Sequence, residues 1–280
     1  MCRLYGQISP SSRTAYDHLA QSERSLLRQA NYRRKDLQRD GWVIGWFDGR
    51  GAEVSKSPKA AFAEIPRFKR LAAKAKSRVV IGHLRAASNP MGLSRRELMR
   101  ADNAQPFTDG RFVFAHNGTV LVAKDVLKFL GPYRARIKGS NDSEIYFWQF
   151  VKFYDMHRDV PKALRACVEE QWTLWSYRPA KWRKKNPRPY IGLNTLVGDG
   201  ASLWGMCAFP EKHPKLSLFN PKQQWGRMAW ARRGGRVILA SEDLDGGAWG
   251  HFGNPEIVTA TVSGGKVKLK RETFKPGPAR

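Results

Sequence analysis

The sequence is poor in cysteine, in acidic residues and in long apolar runs. Its three cysteines, Cys2, Cys167 and Cys207, provide no framework for paired disulfides. This favours a reducing compartment, and we expect a cytoplasmic protein. No apolar stretch reaches the roughly 18 residues that a membrane-spanning helix needs. The N-terminal region lacks the apolar core of a secretory signal, so we expect neither a membrane anchor nor a leader.

Cofactor and metal motifs are also missing from the sequence. No spacing of Cys and His residues is typical of a zinc site. The chain has neither the GxxxxGK loop that binds phosphates nor a dinucleotide-binding fingerprint. His83 and His116 adjoin apolar runs, which favours histidines hydrogen-bonded within a core over metal ligands. The sequence therefore predicts an activity without a metal or a cofactor.

The shortage of acidic residues leaves a large positive charge. Asp and Glu number 24 against 50 Lys and Arg, for a net charge of +26. Such a surface attracts anions and permits weak nonspecific contact with nucleic acid, although a solvated basic surface or a proteome rich in arginine explains the charge without any such partner. The segment Arg178–Tyr190 has six basic residues and no acid. It is predicted to be a loop, either solvated or anion-binding with Trp182 and Tyr190 stacking on bases.

The pattern of apolar residues predicts one α+β domain. Apolar residues make up 41% of the chain, too many for a disordered protein. The N-terminal half mixes helices with buried strands, and the C-terminal half has short strands between Gly-rich turns, typical of antiparallel hairpins. We expect the domain to span residues 2–272, with a tail at 273–280. The main predicted elements are helices at 11–30, 140–156 and 161–175 and strands at 40–51, 77–85 and 111–118.

Four short pieces have the residue types that amide cleavage requires. Cys2 would carry both a thiol and a free α-amine once Met1 is removed, and that amine could accept the thiol proton. Arg85 follows a predicted strand and offers a guanidinium that grips a carboxylate. Asn117 and Gly118, at a predicted turn, could together hold an oxyanion. Asp142, at a predicted helix start, could bind an ammonium group.

The order of these pieces resembles one known family. The MC start, DGWVIGW, GHLRAAS, QPF, AHNGT and NDSE together resemble the class II glutamine amidotransferases, within the N-terminal nucleophile hydrolases. The closest likeness is to stand-alone glutaminase domains, and ASEDLDGGAWG at 240–250 resembles the family's tail motif. The resemblance implies a four-layer αββα sandwich of two antiparallel sheets.

The resemblance also implies a role for each matching residue. Cys2 would be the nucleophile, and Asn117 and Gly118 the oxyanion pair. Arg85 would bind the carboxylate of glutamine, and Asp142 its α-amine. Ser88, which lies near the arginine, is a further candidate for substrate binding.

The sequence departs from the family at several positions. Arg3 stands where synthase members have glycine, Ala86 where they have an aromatic residue, and Gln105-Pro106-Phe107 where many stand-alone members have HPF. The basic segment 178–190 has no counterpart. These differences bear on specificity, and none removes a catalytic group.

The expected activity is cleavage of the γ-amide of glutamine through a Cys2 thioester, which releases glutamate and ammonia. Any ammonia acceptor would be on a partner chain. Three alternatives remain open. They are hydrolysis of another γ-glutamyl conjugate, a catalytically idle basic scaffold that binds nucleic acid, and a penicillin-type acylase that would not need Arg85 and Asp142.

Overall fold

Two antiparallel sheets form the centre of the molecule. The computed structural model describes residues 2–34, 36–211 and 215–278. The strands in these ranges are β1 (Arg3–Thr14), β2 (Trp42–Asp48), β3 (Gly51–Ser57), β4 (Lys76–Leu84), β5 (Phe107–Thr108), β6 (Val113–Val120), β7 (Tyr190–Gly198), β8 (Ser202–Cys207), β9 (Ala229–Arg233), β10 (Arg236–Ala240), β11 (Gly250–His251), β12 (Glu256–Ser263) and β13 (Lys266–Thr273). The first sheet has the order β11-β9-β10-β1-β4-β2-β3, and the second has the order β13-β12-β8-β7-β6-β5.

Helices cover the outer face of each sheet. The α-helices of the described ranges are α1 (Leu26–Gln29), α2 (Ile65–Lys74), α3 (Arg95–Leu98), α4 (Ala123–Val126), α5 (Asp142–His157), α6 (Val160–Ser176) and α7 (Ala180–Lys185). Short 3₁₀ helices lie at Ala61–Ala63, Ala101–Asn103, Leu127–Phe129 and Gly131–Arg136. Among the residues that the structure describes, no helix has the length and apolarity needed to cross a bilayer.

Three apolar clusters separate the layers. Alternate residues of a strand point to opposite faces of its sheet. Leu4 and Ile8 of β1 therefore point toward the second sheet, where they share a cluster with Val113 of β6. Tyr5 points to the opposite face and packs in the cluster that contains Phe68 of α2. A separate cluster joins the outer face of the second sheet to α5 and α6. The result is the four-layer α+β sandwich with two antiparallel sheets that the sequence predicts.

Three predicted elements differ from the structure. The predicted helix at 11–30 is wrong at its start, because β1 continues to Thr14 and pairs with β4 beyond a bulge. Shorter helical turns follow it, including α1. The predicted turn at His116–Gly118 is wrong, because β6 continues to Val120. The predicted loop at 178–190 contains the short helix α7 and ends in strand β7.

Candidate active site

Cys2 lies immediately before β1 and faces the space between the sheets. Cys2 is an even number of positions from Leu4 and Ile8, so its side chain points to the same face of the sheet as theirs, which fill that space. Only 8% of its surface is exposed. Its Sγ accepts the backbone N–H of Ala86 at 3.4 Å. Burial raises the pKa of the Cys2 thiol, and the nearby charge of Arg85 opposes this. The thiol is therefore neutral at neutral pH and becomes a nucleophile only when a base takes its proton.

Arg85 follows β4, the strand that pairs with β1, and its guanidinium is held by backbone carbonyls. Nη1 donates to the carbonyl of Asp40 at 3.4 Å, and Nη2 donates to that of Leu98 at 2.8 Å. The Asp40 carboxylate in turn accepts the N–H of Ala87 at 2.8 Å. These contacts fix the direction of the guanidinium and leave further N–H groups for a ligand.

Asn117 and Gly118 lie in β6, the strand that faces β1 across the sandwich. A bulge follows Gly118, where the pairing with β7 shifts its register. The Asn117 side chain is 1% exposed, yet neither its nitrogen nor its oxygen has a hydrogen-bond partner among the described residues. A buried amide without a partner costs stability, which is typical of a group reserved for a ligand.

Gly118 is required at its position by packing. A Cβ atom there would overlap the backbone carbonyl of Gly192 on β7 and approach the ring of His116. Backbone cannot move aside as a flexible side chain can, so any larger residue would displace the strand that carries the oxyanion candidates.

Asp142 begins α5, and 2% of its surface is exposed. Its Oδ2 accepts the N–H of Val120 at 2.8 Å, which ties the helix to the end of β6. Burial raises the pKa of the Asp142 carboxyl to about 6, while the hydrogen bond from Val120 and the charge of Arg85 act in the opposite direction. At neutral pH the carboxylate is charged and available to an ammonium group.

One small cleft joins most of the residues predicted from the sequence. Its walls include Cys2, Arg85, Ser88, Gly118 and Asp142. Asn117 adjoins Gly118 without lining the cleft. Ser88 accepts a hydrogen bond from the Thr119 hydroxyl at 2.9 Å, across the cleft mouth.

Gln105 is a cleft residue whose role the sequence does not reveal. Its Nε2 donates to the carbonyl of His116 at 2.7 Å, and its Oε1 accepts the N–H of the same residue at 2.6 Å. This double contact holds β6 just before Asn117. The QPF motif marks the position, but its amide acts on backbone 11 residues away, which no local pattern indicates.

The two histidines differ in their contacts. His116 is hydrogen-bonded as expected, with Nδ1 at 3.0 Å from the Ser143 hydroxyl and Nε2 at 3.3 Å from the Gly192 carbonyl. His83 is buried in the core as expected, and its ring nitrogens lie near the backbone of Gln105 and His116 without forming hydrogen bonds of good geometry. Burial lowers the pKa of His83 to about 3 and that of His116 to about 4. Both rings are neutral at neutral pH.

Arg3 makes a contact with Cys2 that the sequence does not explain. Its Nη1 donates to the carbonyl of Cys2 at 3.4 Å, and its Nη2 lies 3.9 Å from Glu242. Glu242 belongs to the tail motif at 240–250 and also accepts from the Ser217 hydroxyl and the Leu218 N–H. This buried pair joins the first residue of β1 to the segment after β10.

The basic segment differs from its predicted form. Tyr190 is 3% exposed, and Trp182 packs against the helical core under Arg178. The expectation that these two rings are free to stack on bases is therefore wrong. Arg178 is itself paired with Asp125.

Within residues 2–34, 36–211 and 215–278, no cluster of three or more His, Cys, Asp or Glu residues could hold a metal ion.

Comparisons with known proteins identify the family of the chain. Residues 24–212 match the family model described as glutamine amidotransferases class-II. A curated relative, the gamma-glutamyl-hercynylcysteine sulfoxide hydrolase of Mycobacterium tuberculosis, is 29% identical over 125 residues, which are 43% of this chain and 50% of the relative. The match thus spans about half the length of that relative.

Solved structures show the same fold at low sequence identity. A glutamine aminotransferase class-II domain protein from Silicibacter pomeroyi has a TM-score of 0.64 at 16% identity, covering 96% of this chain and 98% of its own. The glutamine phosphoribosylpyrophosphate amidotransferase from B. subtilis has a TM-score of 0.62 at 14% identity, covering 98% of this chain and 50% of its own. Because the family model matches more than half of the sequence, the chain belongs to the class II glutamine amidotransferases, amidohydrolases with the N-terminal nucleophile fold.

Proposed function

We propose that this chain hydrolyses the γ-amide of glutamine through a thioester on Cys2, releasing glutamate and ammonia. The observation that carries the proposal is the cleft itself. Cys2, Arg85, Gly118 and Asp142 come from distant parts of the sequence, and all four line its walls. Each has the chemistry that one step of amide cleavage needs.

The nucleophile would be activated by its own amino group. Removal of Met1 leaves a free α-amine on Cys2, with an ordinary pKa of about 7.7–8.0 that suits a base at neutral pH. The amine takes the thiol proton, and the sulfur attacks the γ-carbonyl carbon. The proton then passes to the leaving nitrogen as the C–N bond breaks and ammonia departs. Water adds to the thioester, which releases glutamate and restores the thiol.

Two groups would stabilise the charge that develops on the carbonyl oxygen. The Asn117 amide is buried and has no other hydrogen-bond partner among the described residues. The Gly118 N–H lies beside it on the same strand. One such donor is typically worth about 10²–10³ in rate.

Arg85 and Asp142 would select a free amino acid. A buried guanidinium binds an α-carboxylate, and a buried carboxylate binds an α-ammonium group. The cleft encloses only about 20 Å³, which is room for about one water molecule. The cleft is partly open to solvent, so a bound glutamyl group would extend beyond this enclosed part.

A second candidate keeps the chemistry and changes the leaving group. The curated relative is named as a hydrolase of a gamma-glutamyl conjugate, and the two anchors fit any γ-glutamyl amide as well as glutamine. Product analysis by mass spectrometry with glutamine and with γ-glutamyl amides as substrates separates the two candidates.

The decisive experiment is labelling with 6-diazo-5-oxo-L-norleucine, a glutamine-like electrophile. We expect the mature protein to lack Met1 and to gain a single adduct on Cys2, found by intact mass and peptide mapping. The Cys167→Ala variant is the matched control, since Cys167 is also buried but lies in the helical core, and it should label as the wild type does. Full activity of Cys2→Ala, or of protein that retains Met1, would refute the proposal.

An ammonia acceptor and a nucleic-acid partner are separate proposals with their own tests. If a partner chain receives the ammonia, its addition should reduce the free ammonia released per glutamate formed. If the idle scaffold is the better description, the unlabelled protein should bind nucleic acid tightly, with an affinity that falls steeply as salt rises.

A further inference from the structure

A second cavity lies beside the strand that carries the proposed oxyanion site. It measures about 500 Å³, which lies within the range of small-molecule sites. Leu121 forms one wall, and Tyr190 and Ile191 at the start of β7 form another, with Pro187 and Pro210 nearby. This cavity is therefore much larger than the catalytic cleft.

The cavity and the cleft have no wall residue in common, but two strands bring residues of their walls close together. Gly118 lines the cleft and Leu121 lines the cavity, and an extended chain places such positions about 10 Å apart. On β7, Ile191 of the cavity wall directly precedes Gly192, whose carbonyl packs against Gly118. A group attached to the scissile nitrogen could therefore extend from the cleft into the cavity past Thr119.

The walls of the cavity are apolar and unusually exposed. Ile191 is 46% exposed although it lies in a strand. Together with Leu121, Tyr190 and the two prolines it gives the cavity a mainly apolar lining with a few polar groups, which is typical of small-molecule sites. Such walls favour an apolar, ring-sized ligand.

The charges at the cavity rim favour a negative group on that ligand. Lys185 ends α7 at one side, and Arg188 follows, with its Nη1 donating to the Phe209 carbonyl at 3.3 Å. Glu211 also lines the cavity, and its Oε1 accepts a hydrogen bond from the Asn254 amide at 3.4 Å. The lining therefore contains two cations and one carboxylate that already has a contact.

We propose that this cavity is the leaving-group subsite of a γ-glutamyl conjugate whose leaving amine carries an apolar body and a carboxylate. The proposal rests on the γ-glutamyl hydrolysis proposed above and names its substrate class. The covalent steps are unchanged: Cys2 forms the thioester as the C–N bond breaks, the leaving amine takes the proton from the α-amine, and water completes the hydrolysis.

Two chromogenic substrates test the proposal, because they differ by one carboxylate. These are L-γ-glutamyl-4-nitroanilide and L-γ-glutamyl-3-carboxy-4-nitroanilide, with glutamine as the reference. We expect kcat/KM to be about fivefold higher for the carboxylated anilide, as a partly exposed ion pair allows. In Lys185→Glu, kcat/KM for the carboxylated anilide divided by kcat/KM for the plain anilide should fall to about one or below. The matched control is Lys181→Glu, on an exposed lysine of the same helix outside the cavity, and it should keep the wild-type ratio.

The outcomes separate the two proposals. If glutamine is hydrolysed but neither anilide is, or if Lys185→Glu keeps the wild-type ratio, the subsite is overturned while the proposed chemistry stands. If the wild type cleaves none of the three compounds, the proposed function fails and the subsite fails with it. A ratio that falls equally in both lysine variants would assign the preference to overall charge and overturn the subsite.

Discussion

The carboxyl group of Asp142, the proposed partner of the substrate ammonium group, is expected to lower the stability of the folded protein. Burial raises its pKa from 3.8 to about 6, so at neutral pH the folded protein holds a charge that the unfolded chain would carry more easily. A difference of about two pH units corresponds to about 3 kcal/mol. The Asp142→Asn variant removes the charge and keeps the shape, and its amide oxygen can still accept the N–H of Val120.

The expected gain depends on pH with a definite sign. Below pH 3.8 the carboxyl is protonated in both states, and the variant should match the wild type. Between pH 3.8 and about 6 the wild type progressively loses stability relative to the variant. Above that range the variant should be more stable by about 1–3 kcal/mol, since weaker hydrogen bonds to the neutral amide offset part of the gain.

The assay is urea unfolding followed by tryptophan fluorescence at about pH 7.5 and about pH 5, where we expect roughly half of the effect. The same variant should lose about 30-fold or more in kcat/KM for glutamine, because a buried charge contact to the substrate is removed. Asp159→Asn is the matched control, since Asp159 is likewise an aspartate at the start of a helix, where it caps α6 through the N–H of Lys162, and asparagine caps equally well. A variant of Asp142 that is less stable than the wild type at neutral pH would refute the reasoning.

Three further predictions concern β6 and the buried histidines. Asn117→Ala should lower kcat by about 10²–10³ with little change in KM, as measured by steady-state kinetics. Its melting temperature should not fall, because the amide has no hydrogen bond to lose among the described residues, and thermal unfolding checks this. Gly118→Ala should lower the free energy of unfolding by about 1–3 kcal/mol, since its Cβ would overlap the Gly192 carbonyl, and unchanged stability in urea would contradict this. His83 and His116 remain neutral when folded, with pKa values of about 3 and about 4, whereas the unfolded chain protonates them below pH 6.5. Stability should therefore fall as the pH drops from 6.5 toward 4, by up to about 2.7 kcal/mol per pH unit from this pair, and a flat profile of melting temperature would count against it.

The sequence predicts which residues line the cleft better than it predicts the arrangement of the strands that carry them. Cys2, Arg85 and Asp142 follow from residue type, from the ends of predicted elements and from the family resemblance, and the structure brings them to one cleft. The order of elements is also largely predicted, because apolar runs and Gly-rich turns mark the strands. Local patterns, however, do not show which strands share a sheet. Strands β9 and β10 join β1, while β7 and β8 lie in the other sheet.

Long-range pairing explains where the predictions fail. The polar residues at 116–118 are typical of a turn, but their backbone pairs with β7, so they remain in a strand. The serines at 11 and 12 are typical of a helix start, but β1 continues to pair with β4 beyond them. In both places hydrogen bonds to a distant strand override the local preference.

The location of β1 has a consequence for how the protein is made. This strand lies between β4 and β10, with Tyr5 opposite Ala240 and the Leu4 N–H donating to the Ser241 hydroxyl at 3.0 Å. Leu4 and Ser241 are 237 residues apart in the chain, so β1 gains its second partner strand only after β10 has been synthesised. A chain truncated before β10 should therefore leave this edge of β1 unpaired and prone to aggregation.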